Sequence, residues 1–430
     1  MKITGRIPSL VYANDKGEIV DLPDMEMAGM SGFSPIRPHL SDLIPLPDGS
    51  ELFTLPGRYP VGFAPKGRRP VILTEDPFNP GAEVNAVAAF IAPAHTSVLS
   101  AAYKKSSQDA PLLPLFAYTA VGWLDGRFWV AAFRSDTDVR QDSSQYDQKT
   151  VRAKTNRHLK KLPDNRLIQH LGKCCLTYGC PAARNYFLGR WEAPIPTSPV
   201  CNAACLGCIS LQPSGCCPAT QDRIAFVPTA DEIVELAVPH ILGAPKPVVS
   251  FGQGCEGEPL LQSKTIEKSI LKIRRQTLGG TINLNSNSSM PDRIDRLAAA
   301  GLDSLRVSMN SAREDKYTLY YRPRGYSFDD VKDSIRVMKR RDKFVSLNYF
   351  ILPGFTDDPD EMNAFFGLVE DFRPDMIQLR NLNMDPDWYL DAVQHKPSVK
   401  PIGIMNWLKK LKKSFPFLRF GYFNPYLGSV

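Results

Sequence analysis

Three cysteines, Cys201, Cys205 and Cys208, stand in the run Ser198-Pro-Val-Cys-Asn-Ala-Ala-Cys-Leu-Gly-Cys. The spacing Cys-x3-Cys-x2-Cys places three thiols on one tight loop. Three thiolates so arranged can hold three irons of a four-iron cluster and leave the fourth iron open to a small ligand. The same residues admit a zinc site with Cys216 or Cys217 as fourth ligand. Zinc knuckles favour two paired Cys-x2-Cys units, and this chain has a single one. Six further cysteines, Cys174, Cys175, Cys180, Cys216, Cys217 and Cys255, flank the triplet, and none of the nine lies before residue 174 or after residue 255. In a reducing compartment such a cluster of thiols points to metal binding or catalysis rather than disulfides. The six are candidates for an auxiliary iron–sulfur cluster. The plain alternative is that they pack as small buried hydrophobes.

A second stretch, Ser250-Phe-Gly-Gln-Gly-Cys-Glu-Gly-Glu-Pro, contains Gly252, Gly254 and Gly257 in the dinucleotide-binding pattern G-x-G-x-x-G. Pro259 follows at once, and the next apolar run, Thr281-Ile-Asn-Leu-Asn, ends without the acidic residue that a ribose would need. The dinucleotide reading therefore fails.

The elements that must position these residues come from residue 194 onward, where strands and helices alternate. Candidate strands cover 195–201, 247–251, 281–285, 304–309, 344–352 and 376–382. Thr229-Ala-Asp-Glu is a capping box, Pro291 fits a first helical residue, and Ser327 precedes another helix. Ile404, Trp407, Leu408 and Leu411 repeat at helical spacing. Six βα units predict an α/β fold with a parallel sheet, open or curled into a partial (β/α)6 barrel of TIM type. Residues 1–164 are rich in Pro and Gly, and Asp125-Gly126 between aromatic and β-branched residues signals a hairpin. The expected organisation is a mainly-β N-terminal domain over 1–164 and a cysteine-containing connector over 165–193. The partial barrel follows over 194–399, with a C-terminal helix and tail over 400–430.

With the triplet after the first strand and Gly257-Glu258-Pro259 after the second, the region 195–383 resembles the radical S-adenosylmethionine (radical SAM) superfamily. The resemblance implies an enzyme in which Cys201, Cys205 and Cys208 hold a 4Fe-4S cluster whose open iron chelates SAM. One electron then cleaves SAM to a 5′-deoxyadenosyl radical, which takes a hydrogen atom from the substrate. It implies SAM contacts from Gly257, Glu258, Asn287, Ser308, Asn310 and Gly354. It also implies a one-electron donor such as flavodoxin or ferredoxin. Gly207 departs from the family, which usually has an aromatic residue before the third cysteine. Candidates for the substrate surface are Tyr317, Tyr320, Tyr321, Arg322 and Arg324, with Arg380, Asn381 and Asn383 after the sixth strand. Arginines converging on one cavity would suit an anionic or phosphorylated substrate. The absence of cysteines after Cys255 argues against the C-terminal cysteine-rich extension of peptide-modifying maturases and against the RNA-adenine methylating members. No Asp-x-His-x-x-Gly in the N-terminal part argues against cobalamin.

Composition bounds what remains. A chain of 430 residues with 43% hydrophobic and 23% charged residues is globular, and no run is long and apolar enough to span a bilayer. The N-terminus lacks a signal-peptide core, so a cytoplasmic protein is expected. The net charge of +7 gathers in basic runs at 149–161, 268–275, 339–343 and 409–413, which solvated helix faces explain. Two other functions stay open: a radical SAM enzyme modifying RNA or protein and docking through that basic surface, and a zinc-bound, non-enzymatic binding module.

Overall fold

The computed structural model describes residues 5–65, 67–212, 217–397 and 399–428. Up to Arg134 the chain is mainly β, with antiparallel pairing in an eleven-stranded sheet and a three-stranded one. Strands Val121–Leu124 and Arg127–Arg134 form the expected hairpin, with Leu124 opposite Arg127. Asp125 and Gly126 both take positive φ, 51° and 77°, the turn whose twist matches that of the strands it joins. Helices α1 (Gln148–Lys161), α2 (Arg166–Leu176) and α3 (Pro181–Leu188) then lead into the second half. The basic run at 149–161 is the exposed face of α1, which buries Val151 and Thr155.

The second half is one parallel sheet of seven strands in sequence order. They are Glu192–Ile195, Val248–Phe251, Thr281–Ser286, Ser304–Met309, Phe344–Ile351, Met376–Asn381 and Arg419–Gly421. The crossovers carry α4 (Ala230–Gly243), α5 (Ser263–Gln276), α6 (Pro291–Ala300), α7 (Glu314–Tyr321), α8 (Phe328–Arg340), α9 (Pro359–Phe372), α10 (Pro386–Ala392) and α11 (Ile404–Ser414). Capping boxes start α4 at Thr229 and α8 at Ser327, and Pro291 opens α6. No pairing joins the first strand to the seventh among the described residues, so the barrel is open.

Two expectations are corrected. The first strand is Glu192–Ile195 rather than 195–201, because Pro196 and Pro199 lack the N–H that a ladder needs. Region 400–430 is more than a helix and tail: Arg419–Gly421 pairs with Met376–Gln378 and extends the sheet by a seventh strand. A three-residue strand has too few positions to show a period.

The barrel interior is polar. Ile282, Leu284, Leu305, Val307, Leu347, Ile377 and Leu379 are buried in the main apolar core, while alternate residues form a hydrogen-bonded interior network. Asn283 Nδ2 donates to Asn285 Oδ1 (2.8 Å), and Gln378 Nε2 donates to Ser346 Oγ (3.3 Å). Asn424, just beyond the seventh strand, ties the network together. It donates to Glu192 Oε1 (2.7 Å) and accepts from Gln378 Nε2 (2.9 Å). Barrels of this kind usually fill their centre with branched apolar side chains. Here hydrogen-bonding groups take the place of that apolar filling.

The N-terminal part packs over the ends of the fifth and sixth strands. Gly32 N donates to Pro353 O (2.8 Å), Thr96 Oγ1 donates to Leu379 O (3.0 Å), and Ser97 N donates to Asn381 Oδ1 (2.8 Å). The strongest link is an ion pair between Arg58 and Asp385 at 2.6 Å, with neither side chain exposed. Arg58 also donates to Pro56 O and Pro111 O, and Asp385 accepts from Leu113 N. Removing one partner of such a pair strands a buried charge. Arg58→Met is expected to lower stability by about 3–5 kcal/mol, read as a fall in the denaturant midpoint. A midpoint equal to that of the unsubstituted protein would show that Asp385 is not held by this pair.

Candidate functional site

Residues 196–212 form the loop that carries the cysteine triplet, and three neighbouring segments hold it. The first is the loop after the second strand. Pro196 and Pro199 leave the Thr197 and Ser198 amides outside any ladder, and buried Glu256 collects them. Its carboxylate accepts from Thr197 N (2.7 Å), Thr197 Oγ1 (3.0 Å), Ser198 N (2.9 Å) and Gln253 N (2.7 Å). Burial pushes Glu256 up to about 7 and the four hydrogen bonds oppose that push; donors aimed at both oxygens require the ionised form. Gly257 N then donates to Ser198 O (2.7 Å) and Glu258 N to Val200 O (2.9 Å). A Cβ on Gly257 would lie 2.0 Å from Val200 O, so only glycine permits this approach.

The second holding segment is the C-terminus of α7. Its last carbonyls, which have no partner within the helix, accept from the triplet loop: Ala204 N to Tyr321 O (3.0 Å) and Leu206 N to Tyr320 O (3.1 Å). The third is the segment after the third strand. Asn287 Nδ2 donates to Asn202 Oδ1 (2.8 Å), and Asn202 Nδ2 donates to Ser289 Oγ (2.9 Å). The loop between Cys201 and Cys208 is thus fixed from three sides.

The sulfurs themselves stay reachable. Cys201, Cys205 and Cys208 are half-buried, and Arg223 Nη2 lies 3.4 Å from Cys208 Sγ. Burial pushes the Cys201 thiol up to about 11 and the Cys205 thiol well above its usual range. Binding a cationic cluster as thiolates would therefore release both protons. Ser288 Oγ, Asn310 Oδ1, Tyr321 Oη and Asn348 Oδ1 are buried and unpaired. Accessible thiols on one loop fit a cluster, and unpaired buried polar atoms fit a polar ligand.

Of the residues expected to touch SAM, Gly257, Glu258, Asn287, Ser308 and Asn310 lie at the C-terminal ends of the second to fourth strands. Glu258 accepts from Leu260 N (2.9 Å), Ser286 Oγ (2.6 Å) and Asn287 N (2.9 Å), and burial pushes it up to about 7. Its Oε2 atom, which takes one of the three bonds, retains acceptor capacity. Asn310 donates to Lys316 O and Tyr389 Oη (both 3.2 Å). Gly354 has another neighbour. A Cβ there would lie 1.7 Å from Gly32 N, so its glycine serves the approach of the N-terminal part. Gly207 explains itself in the same way: a Cβ would stand 2.9 Å from Tyr320 Oη and 3.3 Å from Met384 Sδ. The Tyr320 ring, delivered by α7, occupies the space beside the third cysteine.

The substrate candidates divide. Tyr317, Tyr320 and Tyr321 are buried in an aromatic group in which Tyr317 stacks on Tyr321 at 4.5 Å. Arg322, Arg324 and Asn383 are exposed, because the helix ends at Tyr321 and the chain turns outward through Arg322 at φ 48°. Asn381 bonds to Ser97 N and His95 O and so serves the joint between the two parts. Arg380 stays inside, over the Tyr422 ring at 3.8 Å. Its interior neighbour is Arg306, which sequence reasoning missed. Arg306 Nη1 lies 3.5 Å from Gln378 Oε1, and burial followed by the charge of Arg380 pushes it down to about 9. Both Nε atoms are buried and unpaired. The available signal was a lone charged residue between Leu305 and Val307 in an otherwise buried strand.

The six flanking cysteines separate as well. Cys174 and Cys255 converge on His170, with the three ligand atoms within 4.8 Å of one another. Cys175 points away, to Thr155 Oγ1 (3.3 Å). Cys180 N donates to Cys174 O (3.1 Å), while Cys217 is buried outside the His170 group. Cys216 lies outside the described residues. No helix among the described residues is long and apolar enough to cross a membrane.

Residues 195–366 match the family model of the Radical SAM superfamily. No curated protein matches the chain. Similar solved structures include methylornithine synthase (PylB), with TM-score 0.37 and 14% identity over 64% of this chain and 71% of that one. Another is anSMEcpe with bound AdoMet, at 0.35 and 16% over 44% and 52%. A third is Streptococcus suis SuiB bound to precursor peptide SuiA, at 0.38 and 12% over 55% and 52%. The chain spans about half the length of the last two. Likenesses of this extent say nothing about substrate.

Glu256 offers a direct test of how the loop is held. Glu256→Gln turns an NH2 group towards backbone donors and loses a charged acceptor worth about 1.5–3 kcal/mol per bond. The expected outcome is a lower melting temperature together with reduced iron content after anaerobic reconstitution. Unchanged iron loading would show that the triplet loop keeps its shape without this carboxylate.

Proposed function

We propose that the chain is a radical SAM enzyme and that it removes a hydrogen atom from a small anionic substrate held by Arg306 and Arg380 inside the barrel. Cys201, Cys205 and Cys208 would hold the 4Fe-4S cluster, and an external donor of the flavodoxin or ferredoxin type would supply its electron. When bound, cluster and SAM supply the one-electron chemistry that breaks a substrate C–H bond. The chain's own residues position and enclose. Gly257 brings the SAM loop against the triplet loop, and Glu258 accepts from the SAM ammonium through its remaining capacity. Asn287, Ser308 and Asn310 offer polar contacts, and Tyr320 takes the place of the aromatic residue that Gly207 replaces. The N-terminal part covers the ends of the fifth and sixth strands and excludes water from that side.

The arginine pair carries the substrate reading. Two guanidiniums close enough for one to depress the other, each with a buried unpaired Nε, form an unfavourable arrangement on their own. Arg306 keeps accessible surface although protein surrounds it, as a side chain lining an internal space does. Glu192 is the acid that offsets its charge, but that carboxylate is engaged by Ser250 and Asn424. A carboxylate or phosphate between the two arginines would satisfy the unpaired donors.

Two experiments test the reading. Replacing Cys201, Cys205 and Cys208 with Ala is expected to abolish the SAM-sensitive EPR signal of the dithionite-reduced protein and the formation of 5′-deoxyadenosine; retained cleavage would sink the assignment. For the arginines, millimolar inorganic phosphate is expected to raise the melting temperature of the SAM-loaded protein. The shift should vanish in Arg306→Gln/Arg380→Gln and survive in the exposed pair Arg322→Gln/Arg324→Gln. A shift that persists in the interior variant, or that never occurs, overturns the anionic substrate.

A further inference from the structure

We propose that His170, Cys174 and Cys255 bind a single divalent ion of the zinc type, distinct from the iron–sulfur cluster, which fastens α2 to the SAM-side loop. His170 and Cys174 are four residues apart on α2 and therefore share one face of it. Cys255 reaches them from the loop that carries Glu256, Gly257 and Glu258. Cys174 and Cys255 are nearly fully buried, at 2% and 6% exposure. Two thiols and an imidazole thus meet from two separate parts of the chain, in a place shielded from water.

The distances select the kind of metal. All three ligand atoms lie within 4.8 Å of one another, and His170 Nε2 is 3.6 Å from Cys174 Sγ. A tetrahedral ion about 2.3 Å from sulfur and about 2.05 Å from nitrogen sets those two ligands about 3.6 Å apart. Thiolates on different irons of a cubane stand further apart than thiolates on one ion, so this group is too tight for a second cluster. Among the described residues, Cys175, Cys180 and Cys217 stand outside this group. The side chains of His170, Cys174 and Cys255 leave the fourth tetrahedral position to a water molecule.

Such an ion would matter to the main site without taking part in its chemistry. Cys255 directly precedes Glu256, whose carboxylate holds the Thr197 and Ser198 amides. Cys255 O also accepts from Ile224 N (2.8 Å), one residue after Arg223, the guanidinium beside Cys208. An ion pinning Cys255 to α2 therefore fixes two supports of the triplet loop at once. Binding displaces the thiol protons and needs no change in oxidation state.

The test uses full-length protein carrying Cys201→Ala, Cys205→Ala and Cys208→Ala, so its outcome does not depend on the primary cluster. The protein is reduced, freed of metal by chelation under anaerobic conditions, and titrated with Co2+. The expected result is one Co2+ per chain, with thiolate-to-cobalt charge-transfer absorption and intense tetrahedral d–d bands, displaced by equimolar Zn2+. Adding Cys174→Ser or Cys255→Ser should abolish the charge-transfer bands, and His170→Ala should weaken binding at least tenfold. Cys175→Ser, next to Cys174 in sequence but with its thiol directed to Thr155, should leave the spectrum unchanged and controls for folding. Absence of the bands in the parent protein overturns the proposal. So does a Cys174–Cys255 disulfide in the intact mass before reduction, or uptake of a cubane by the parent on reconstitution with iron and sulfide.

Discussion

At Gly257 two loops come closer than any side chain would allow, and the arrangement of the site follows from that approach. The backbone N–H groups of Gly257 and Glu258 bond to carbonyls on either side of Pro199, which sets the triplet loop and the loop after the second strand in fixed register. Glu256 and Glu258, flanking the glycine, then act in opposite directions. Glu256 reaches back to the residues before Cys201, and Glu258 reaches forward to the third strand's end at Ser286 and Asn287. A parallel sheet brings the C-terminal ends of its strands to one edge. It is the glycine that turns this shared edge into a single connected surface.

The barrel beneath that surface is unusual in its polarity. The strand residues facing the helices are apolar and build the core, whereas the interior is filled by Asn283, Asn285, Ser304, Ser346, Gln378 and the arginine pair. Most of these side chains satisfy one another. The exceptions include the Nε atoms of Arg306 and Arg380 and Asn348 Oδ1. Leaving such atoms unpaired in a packed core is costly.

Much of this was legible in the sequence because it depends on local spacing. The triplet, Gly257-Glu258-Pro259, the capping boxes and the Asp125-Gly126 turn each occupy a few consecutive residues and carry their geometry with them. What could not be read depends on distant partners. Gly354 looks like a strand-end glycine facing the site, yet Gly32, far earlier in the chain, is what requires it. Gly207 looks like a defect until Tyr320 is seen to fill its place. His170 carries no signal until the fold brings Cys255 beside α2. Arg306 was hidden for another reason: a charged residue at an inward position of a buried strand contradicts the usual pattern, and functional sites are where such contradictions gather.

Asn424 joins residues that the chain lays down far apart, from Glu192 at the start of the first strand to Gln378 in the sixth. During synthesis the earlier strands emerge and begin to pair before this side chain exists. Until residue 424 has left the ribosome, the floor of the barrel lacks the amide that links its two edges. Completion of the cysteine-bearing end is therefore expected to follow translation rather than accompany it.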